Sequence, residues 1–259
     1  MALRVATWNV NSIRARLPAL LAWLERVRPD LVGLQETKAP DDAFPAGPLA
    51  DLGYRVAFRG EKAYNGVALL TRKTLKNVRF GFDDGGPADE ARLVTAQWGR
   101  VTVVNTYVPQ GREVDHPMFG YKLAWFDRLR RAFDAVARPG DPVLWMGDLN
   151  VAPEPIDVYD PKRLLGHVCY HPDATAAFHR AAAWGFVDVF RRHVNEPGQY
   201  TYFDYRAVDA VARGRGWRVD HLLATTTLAE RSTSAWIDLG PRLGPTPSDH
   251  TPLLAEFDL

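Results

Sequence analysis

The nine residues from Val143 to Val151, V-L-W-M-G-D-L-N-V, decide how this chain folds. Val143 to Met146 form a continuous apolar run, bounded by Pro139-Gly140-Asp141-Pro142 upstream and by Pro153 and Pro155 downstream. That is the pattern of a short strand buried on both faces. Gly147 is expected to let the backbone turn where the strand ends, and Asp148 and Asn150, two residues apart, then project together. A carboxylate and an amide in that position suit chemistry. Asp and Asn also favour ordinary turns, so this motif alone leaves the two readings even.

The same grammar recurs outward from it. Leu3 to Trp8 reads as a strand ending in Asn9-Val10-Asn11. Leu17, Leu20, Leu21, Leu24 and Val27 then fall at helical steps, with Pro18 in the first turn and Pro29 closing the segment. Leu31 to Leu34 forms a second buried strand, followed by Gln35-Glu36-Thr37-Lys38. Strand, helix, strand predicts a parallel pair with adjacent carboxyl ends, so that Asn9, Asn11 and Glu36 converge. Residues 54–58, 66–71, 91–98 and 101–107 are β-rich with no helical pattern between them, which predicts mostly antiparallel pairing. Gly99-Arg100 reads as a two-residue hairpin of the glycine-first kind. Tyr107 and Gln110 fall at the far end of the last run, where the Tyr107 ring suits a core as well as a site. Residues 121–136 and 175–184 read as helices and 217–224 as a strand carrying Asp220 and His221. Pro247-Ser248-Asp249-His250 leads into a final strand, 253–257.

Composition bounds the reading. With 259 residues, 46% hydrophobic and 24% charged, the chain has material for a large core and no disorder signature. No linker composition interrupts it, so residues 1–259 are expected to form a single domain. Lys+Arg 32 against Asp+Glu 31 gives a net charge of +1, which neither predicts nor excludes a nucleic-acid partner. Any such footprint must be local. Tyr200, Tyr202, Phe203 and Tyr205 lie beside Arg206, and Arg213, Arg215 and Arg218 follow with Asp209 as the one acid from 206 to 218. Rings interleaved with arginines suit a phosphate backbone and bases to stack on, and a solvated arginine-rich loop is the plain alternative. The one cysteine, Cys169, forms no internal disulfide and is expected to be a small buried hydrophobe, which suits a reducing compartment. His167, His171, His179 and His193 show no metal-ligand spacing. No basic leader and no membrane-length apolar window is present, so the expected address is the cytoplasm, with no membrane and no obligate protein partner.

Glu36, Asp148, Asp220 and Asp249 all fall next to predicted strand ends. In one cleft each pair of carboxylates 4 Å apart repels by about 4 kcal/mol at an effective dielectric near 20. Arg14 and Arg218 are the arginines in the same motifs, too few to offset this, so a divalent cation is the better compensation. Carboxylate and amide oxygens without a Cys/His set favour a hard ion, Mg²⁺ with Mn²⁺ as substitute, and such an ion suits phosphate substrates.

Seven blocks then give a resemblance: W-N-V-N-S-I-R-A-R (8–16), L-Q-E-T-K (34–38), N-T-Y-V-P-Q-G (105–111), G-D-L-N-V-A-P (147–153), Y-F-D-Y-R (202–206), W-R-V-D-H (217–221) and P-S-D-H-T-P (247–252). In this order they resemble the exonuclease III family of apurinic/apyrimidinic endonucleases, over nearly the whole chain. The resemblance implies an α/β four-layer αββα sandwich, two mixed central sheets flanked by helices, as in DNase I. It implies Mg²⁺-dependent hydrolysis of the phosphodiester 5′ to an abasic site in double-stranded DNA, leaving a 3′-hydroxyl, with 3′→5′ exonuclease or 3′-repair phosphodiesterase activity on 3′-blocked ends. Carried over by position, Glu36 binds the metal with Asp249 and Asn11 as further ligands, and Asp148 deprotonates the attacking water. Asn9, Asn150, Tyr107 and His250 hold the phosphate, and Asp220 orients His250. Arg14, Gln110 and Arg206 contact DNA, while Tyr202, Trp217 and Val219 line a pocket for the flipped abasic sugar. Asn11 stands where some members have Asp, Ser12 where Gly is frequent, and Tyr202 where others have Trp or Phe. Two rivals keep part of this reading: a sphingomyelinase- or inositol-phosphatase-like phosphoesterase, which the segment 200–218 disfavours, and a DNA-binding module that no longer cuts, which the full set of catalytic residue types disfavours.

Overall fold

The computed structural model describes residues 2–259. In chain order the first half runs β1 (Ala2–Asn9), α1 (Ile13–Val27), β2 (Leu31–Gln35), α2 (Ala46–Asp51), β3 (Arg55–Arg59), β4 (Val67–Thr71), β5 (Lys76–Phe80), β6 (Leu93–Trp98), β7 (Val101–Tyr107) and α3 (Pro117–Val136). The second half runs β8 (Val143–Asp148), α4 (Pro161–Leu164), α5 (Pro172–Ala182), β9 (Phe186–Asp188), α6 (Val189–His193), β10 (Asp220–Thr225), α7 (Thr226–Ala229), β11 (Ser232–Ile237), α8 (Gly240–Leu243) and β12 (Leu253–Asp258). Among the described residues these strands make two six-stranded mixed sheets, ordered β11-β12-β1-β2-β4-β3 and β5-β6-β7-β8-β10-β9. The expected parallel pair β1–β2 forms, and β7–β8 is a second one, connected through α3. No helix of the described residues is long and apolar enough to cross a membrane.

Strand periodicity decides which side chains enter which layer. Val5 on β1, Val101 and Val103 on β7, Leu144 and Met146 on β8, and Leu222 and Ala224 on β10 share one core between the sheets. The intervening residues face outward: Trp8 packs with Trp23 of α1 on one side, and Trp145 with Trp125 of α3 and Phe178 of α5 on the other. Helix, sheet, sheet, helix is the expected four-layer sandwich. Each of these four strands continues its inner row by steps of two into polar residues: Asn9, Tyr107, Asp148 and Asp220. The apolar layer between the sheets therefore opens at one end into a polar pit.

Several sequence expectations are corrected. Gly147 does not turn the chain. It continues β8 at φ +143°, where a β-carbon would collide with the Thr106 carbonyl oxygen on β7, so the glycine permits close strand contact. The turn comes later, at Asn150, whose φ is +50°. Helix α1 begins at Ile13 rather than Leu17, because the Ser12 side chain accepts from the Ala15 amide at 3.4 Å, and Pro18 consequently sits inside the helix. Helix α3 starts at Pro117, where the His116 ring caps the Met118 amide at 3.1 Å. β10 begins at Asp220, with Trp217 instead bridging to Val158 and Tyr202. The strands that sequence reading missed, β5, β9 and β11, are all sheet edges. Their K-N-V-R-F, F-V-D and S-T-S-A-W-I carry no buried apolar run to announce them.

Candidate active site

Tyr107, Asp148 and Asp220 stand side by side because they are register partners: Tyr107 with Asp148 across parallel β7–β8, and Asp148 with Asp220 across antiparallel β8–β10. In the facing sheet Asn9 pairs with Gln35, and Glu36 follows at φ +50°. The fully buried Asn9 joins the two sheets. Its amide nitrogen donates to Glu36 Oε1 at 2.8 Å and to Asp148 Oδ2 at 2.9 Å, while its oxygen accepts from the Asn11 amide at 3.0 Å. Behind them Gln35 donates to Asn105 Oδ1 at 2.6 Å, a polar staple through the layer between the sheets.

The four acids are compensated in different ways. Burial works to raise the pKa of Glu36, yet Lys38 at 2.7 Å and the Asn9 amide outweigh it and leave this carboxyl below its usual range. Asp220 Oδ2 lies 2.8 Å from His250 Nδ1. Burial disfavours a charged imidazole, but Asp220 and Asp148 raise His250 to about 10. At neutral pH it is thus an imidazolium, Nδ1–H donating to Asp220 and Nε2 3.8 Å from Asp148 Oδ2. Asp148 is pushed up to about 7 by burial, with Asp220 and Glu36 adding to the rise and His250 and Asn9 opposing it. Its Oδ1 accepts from the Asn150 amide at 3.0 Å. Asp249 Oδ1 accepts from Asn11 Nδ2 at 2.9 Å. Tyr107 is held well above 10 by burial and by the Glu36 and Asp148 carboxylates, so its hydroxyl stays protonated.

These groups floor and wall a cavity of about 440 Å³. Glu36, Tyr107, Asp148, Asn150, Asp249 and His250 line its polar end. Tyr202, Trp217 and Val219 line the apolar end, where the Tyr202 ring lies 4.9 Å from His250 and Trp217 4.6 Å from His167. Gln110 and Arg206 reach the rim, with Arg206 paired to Asp204 at 2.8 Å. Asn9, Asn11 and Asp220 support the lining through the bonds above. Arg14 is exposed on α1 and does not line the cavity. Arg218 is not a counter-charge for the site: it is fully buried, at 2.7 Å from Asp157 and 2.8 Å from Asp188. One step along β10, His221 takes the opposite face from Asp220 and belongs to that network, with Arg218 NH1 at 3.0 Å. Burial and Arg218 lower it to about 4.

Two cations escaped the sequence reading. Lys38 bridges Glu36 Oε2 and Asn11 Oδ1 at 2.7 and 2.6 Å, and its signal was its place two residues after Glu36 in the same block. Arg16 gathers three segments, donating to the carbonyls of Asn11 and Pro247 at 2.7 and 3.1 Å and to the Tyr205 hydroxyl at 2.9 Å.

The donor set fits a hard divalent ion. Glu36 and Asp249 line one side of the cavity with carboxylate oxygens, and Asn11 stands behind them, bonded to Asp249 and to Lys38, which holds positive charge against Glu36. Asp148, Asp220 and His250 form a second cluster whose ligand atoms lie within 4.8 Å of one another. The oxygen-only donors on the Glu36 side are the harder of the two sets.

The family model "Endonuclease/Exonuclease/phosphatase family" matches residues 6–250. Exodeoxyribonuclease III of Haemophilus influenzae is 35% identical, over 98% of this chain and 100% of that protein. Exodeoxyribonuclease of Bacillus subtilis is 30% identical, over 97% of this chain and 98% of its own length. Among solved structures, an AP endonuclease from Archaeoglobus fulgidus superposes with a TM-score of 0.97 at 45% identity, over 99% of this chain and 100% of that one. A 3′-5′ exonuclease from Neisseria meningitidis gives 0.94 at 35% identity, with 99% and 100% covered.

Proposed function

This chain belongs to the Endonuclease/Exonuclease/phosphatase family, in its exodeoxyribonuclease III branch, and from that premise we propose that it is a DNA-repair nuclease cutting the phosphodiester 5′ to abasic sites. Residues 1–259 act as one domain on double-stranded DNA, with 3′→5′ exonuclease or 3′-repair activity at blocked ends. Its place of work is the reducing cytoplasm, in keeping with a single free cysteine. The observation that carries the reading is the Asn9 amide, which holds Glu36 and Asp148 from opposite sheets on the floor of one cavity.

Asp148, with a pKa near the working pH and its oxygens fixed by Asn9 and the Asn150 amide, takes a proton from water as that water attacks phosphorus. The bond from phosphorus to the 3′-oxygen breaks, and that oxygen leaves as the 3′-hydroxyl with a proton from solvent, to which Asp148 returns the one it took. His250, kept charged by Asp220, donates from Nε2 to the phosphoryl oxygen on which negative charge grows. Asn150 and the protonated Tyr107 hydroxyl hold the remaining oxygens. Mg²⁺, with Mn²⁺ as substitute, is the ion that Glu36, Asn11 and Asp249 would hold, and it supplies Lewis-acid neutralisation of the phosphate. Tyr202, Trp217 and Val219 admit a flipped abasic sugar, whose unstacking cost is low. Arg14, Arg206 and Gln110 contact the DNA.

The test is a duplex carrying one tetrahydrofuran abasic analogue, incubated with Mg²⁺ and with EDTA, beside an undamaged duplex. A nick 5′ to the analogue that needs the metal is expected. Its absence refutes the proposal.

A further inference from the structure

Lys122 of α3 has no exposed surface, and its ammonium meets three backbone carbonyls: Asn150 at 2.7 Å, Val168 at 2.9 Å and Gln110 at 3.2 Å. An ammonium has three donors and no acceptor, so its capacity is filled. The carbonyls belong to three separate connections, one after β7, one after β8 and one between α4 and α5. Each of those connections also places a side chain on the cavity: Gln110, Asn150 and Cys169. Two of them press together where Gly111, at φ +97°, leaves no room for a side chain, since a β-carbon there would lie 2.8 Å from Val168. Asn150 is itself left-handed, a conformation that its surroundings must hold.

A buried charge is an expensive way to fill this space. Burial draws the lysine below its ordinary pKa, and methionine would pack with less desolvation. What methionine cannot do is satisfy three converging carbonyls at one point. We propose that Lys122 is a positioning residue, tying the three connections together so that the cavity wall keeps its shape and the Asn150 amide faces the phosphate.

The inference rests on the nuclease reading for its catalytic arm only. Lys122→Met is compared with wild type by hydrogen exchange and by nicking of the tetrahydrofuran duplex. At least tenfold loss of protection is expected in peptides covering 108–112, 149–153 and 166–170, with β1 and β12 unchanged. The kcat should fall at least tenfold with KM within threefold, and Lys122→Arg, which keeps charge and donors, should recover most of both. Even loosening across the whole fold, wild-type protection in the three segments, or a raised KM with kcat intact would overturn it. If the Met variant does not fold, Lys122→Gln, with two donors and no charge, is read by the same criteria. Should wild type fail to nick, the nuclease reading falls, and the exchange pattern still decides the tether.

Discussion

Asp148→Asn is the substitution in which activity and stability are expected to part, and the structure sizes both. The Asp148 carboxyl sits at about 7 instead of the ordinary 3.8, burial being the main cause. A raised acid keeps its proton in the fold at pH values where the unfolded chain has lost it. Stability therefore falls as pH rises through that window and is regained on acidification. At 1.36 kcal/mol per pH unit, the ionised group costs about 4 kcal/mol by pH 8. Asparagine keeps the shape without the charge. It leaves one donor, from Asn9 or the Asn150 amide, facing an NH₂ group, at about 1–3 kcal/mol. The variant should gain about 2 kcal/mol at pH 8, or roughly 4–8 °C in melting temperature for a chain of this size. Activity should drop about 100-fold or more, because the base is gone. Thermal melts in EDTA at pH 8 and pH 5, beside nicking rates with Mg²⁺, decide the matter. A variant that melts below wild type at pH 8, a gap that does not shrink at pH 5, or a rate within tenfold of wild type would refute the reasoning.

His221 supplies the opposite slope. The unfolded chain takes up its proton near 6.5 and the fold only near 4, so stability is lost as pH falls between them, by about 3 kcal/mol in all. His221→Gln should flatten that limb in urea titrations at pH 7, 5.5 and 4.5, and a limb as steep as wild type would exclude His221 as its source. Glu36→Gln should raise the Mg²⁺ concentration for half-maximal nicking at least tenfold and weaken Mn²⁺ binding followed by electron paramagnetic resonance; unchanged binding would remove Glu36 from the ligand set. Gly147→Ala should cost more than about 3 kcal/mol, since a β-carbon would meet the Thr106 backbone, and a melting temperature within 2 °C of wild type would contradict that contact.

What the sequence made legible was whatever repeats with a period. Val143 to Met146 announced a buried strand, and the polar residues that continue its inner row announced the site, because the alternation that buries Leu144 and Met146 also aims Asp148. The same step of two puts Asn9 beside Asn11, whereas Asp220 is placed only near a strand end and takes its role from the family resemblance. Periodicity could not find β5, whose side chains are largely solvent-facing, or β11, most of whose residues are half-buried with no clean alternation. Nor could it separate the two uses of arginine in the segment 200–218. Arg206 is exposed at the cavity rim, whereas Arg218 is buried between Asp157 and Asp188, a partnership set by residues 61 and 30 positions away that no local pattern contains. Lys122 was hidden for the same reason: its three acceptors are backbone oxygens, which sequence does not distinguish.

Lys38 changes how the carboxylates of the pit are compensated. Four carboxylates in one pit were expected to need an external cation for tolerance alone. In the fold the burden is divided: Glu36 lies against Lys38, Asp220 against the imidazolium of His250, and Asp249 shares Asn11, itself bonded to Lys38. Asp148 is held by amide donors, with an imidazolium nitrogen at 3.8 Å, and is displaced well above the carboxylate range. Burial, the main cause of that rise, thus gives Asp148 a proton affinity that suits a base near neutral pH. Lys38 occupies the oxygens of Glu36 and Asn11 that a divalent ion would use, so ion and lysine are alternatives at those two atoms.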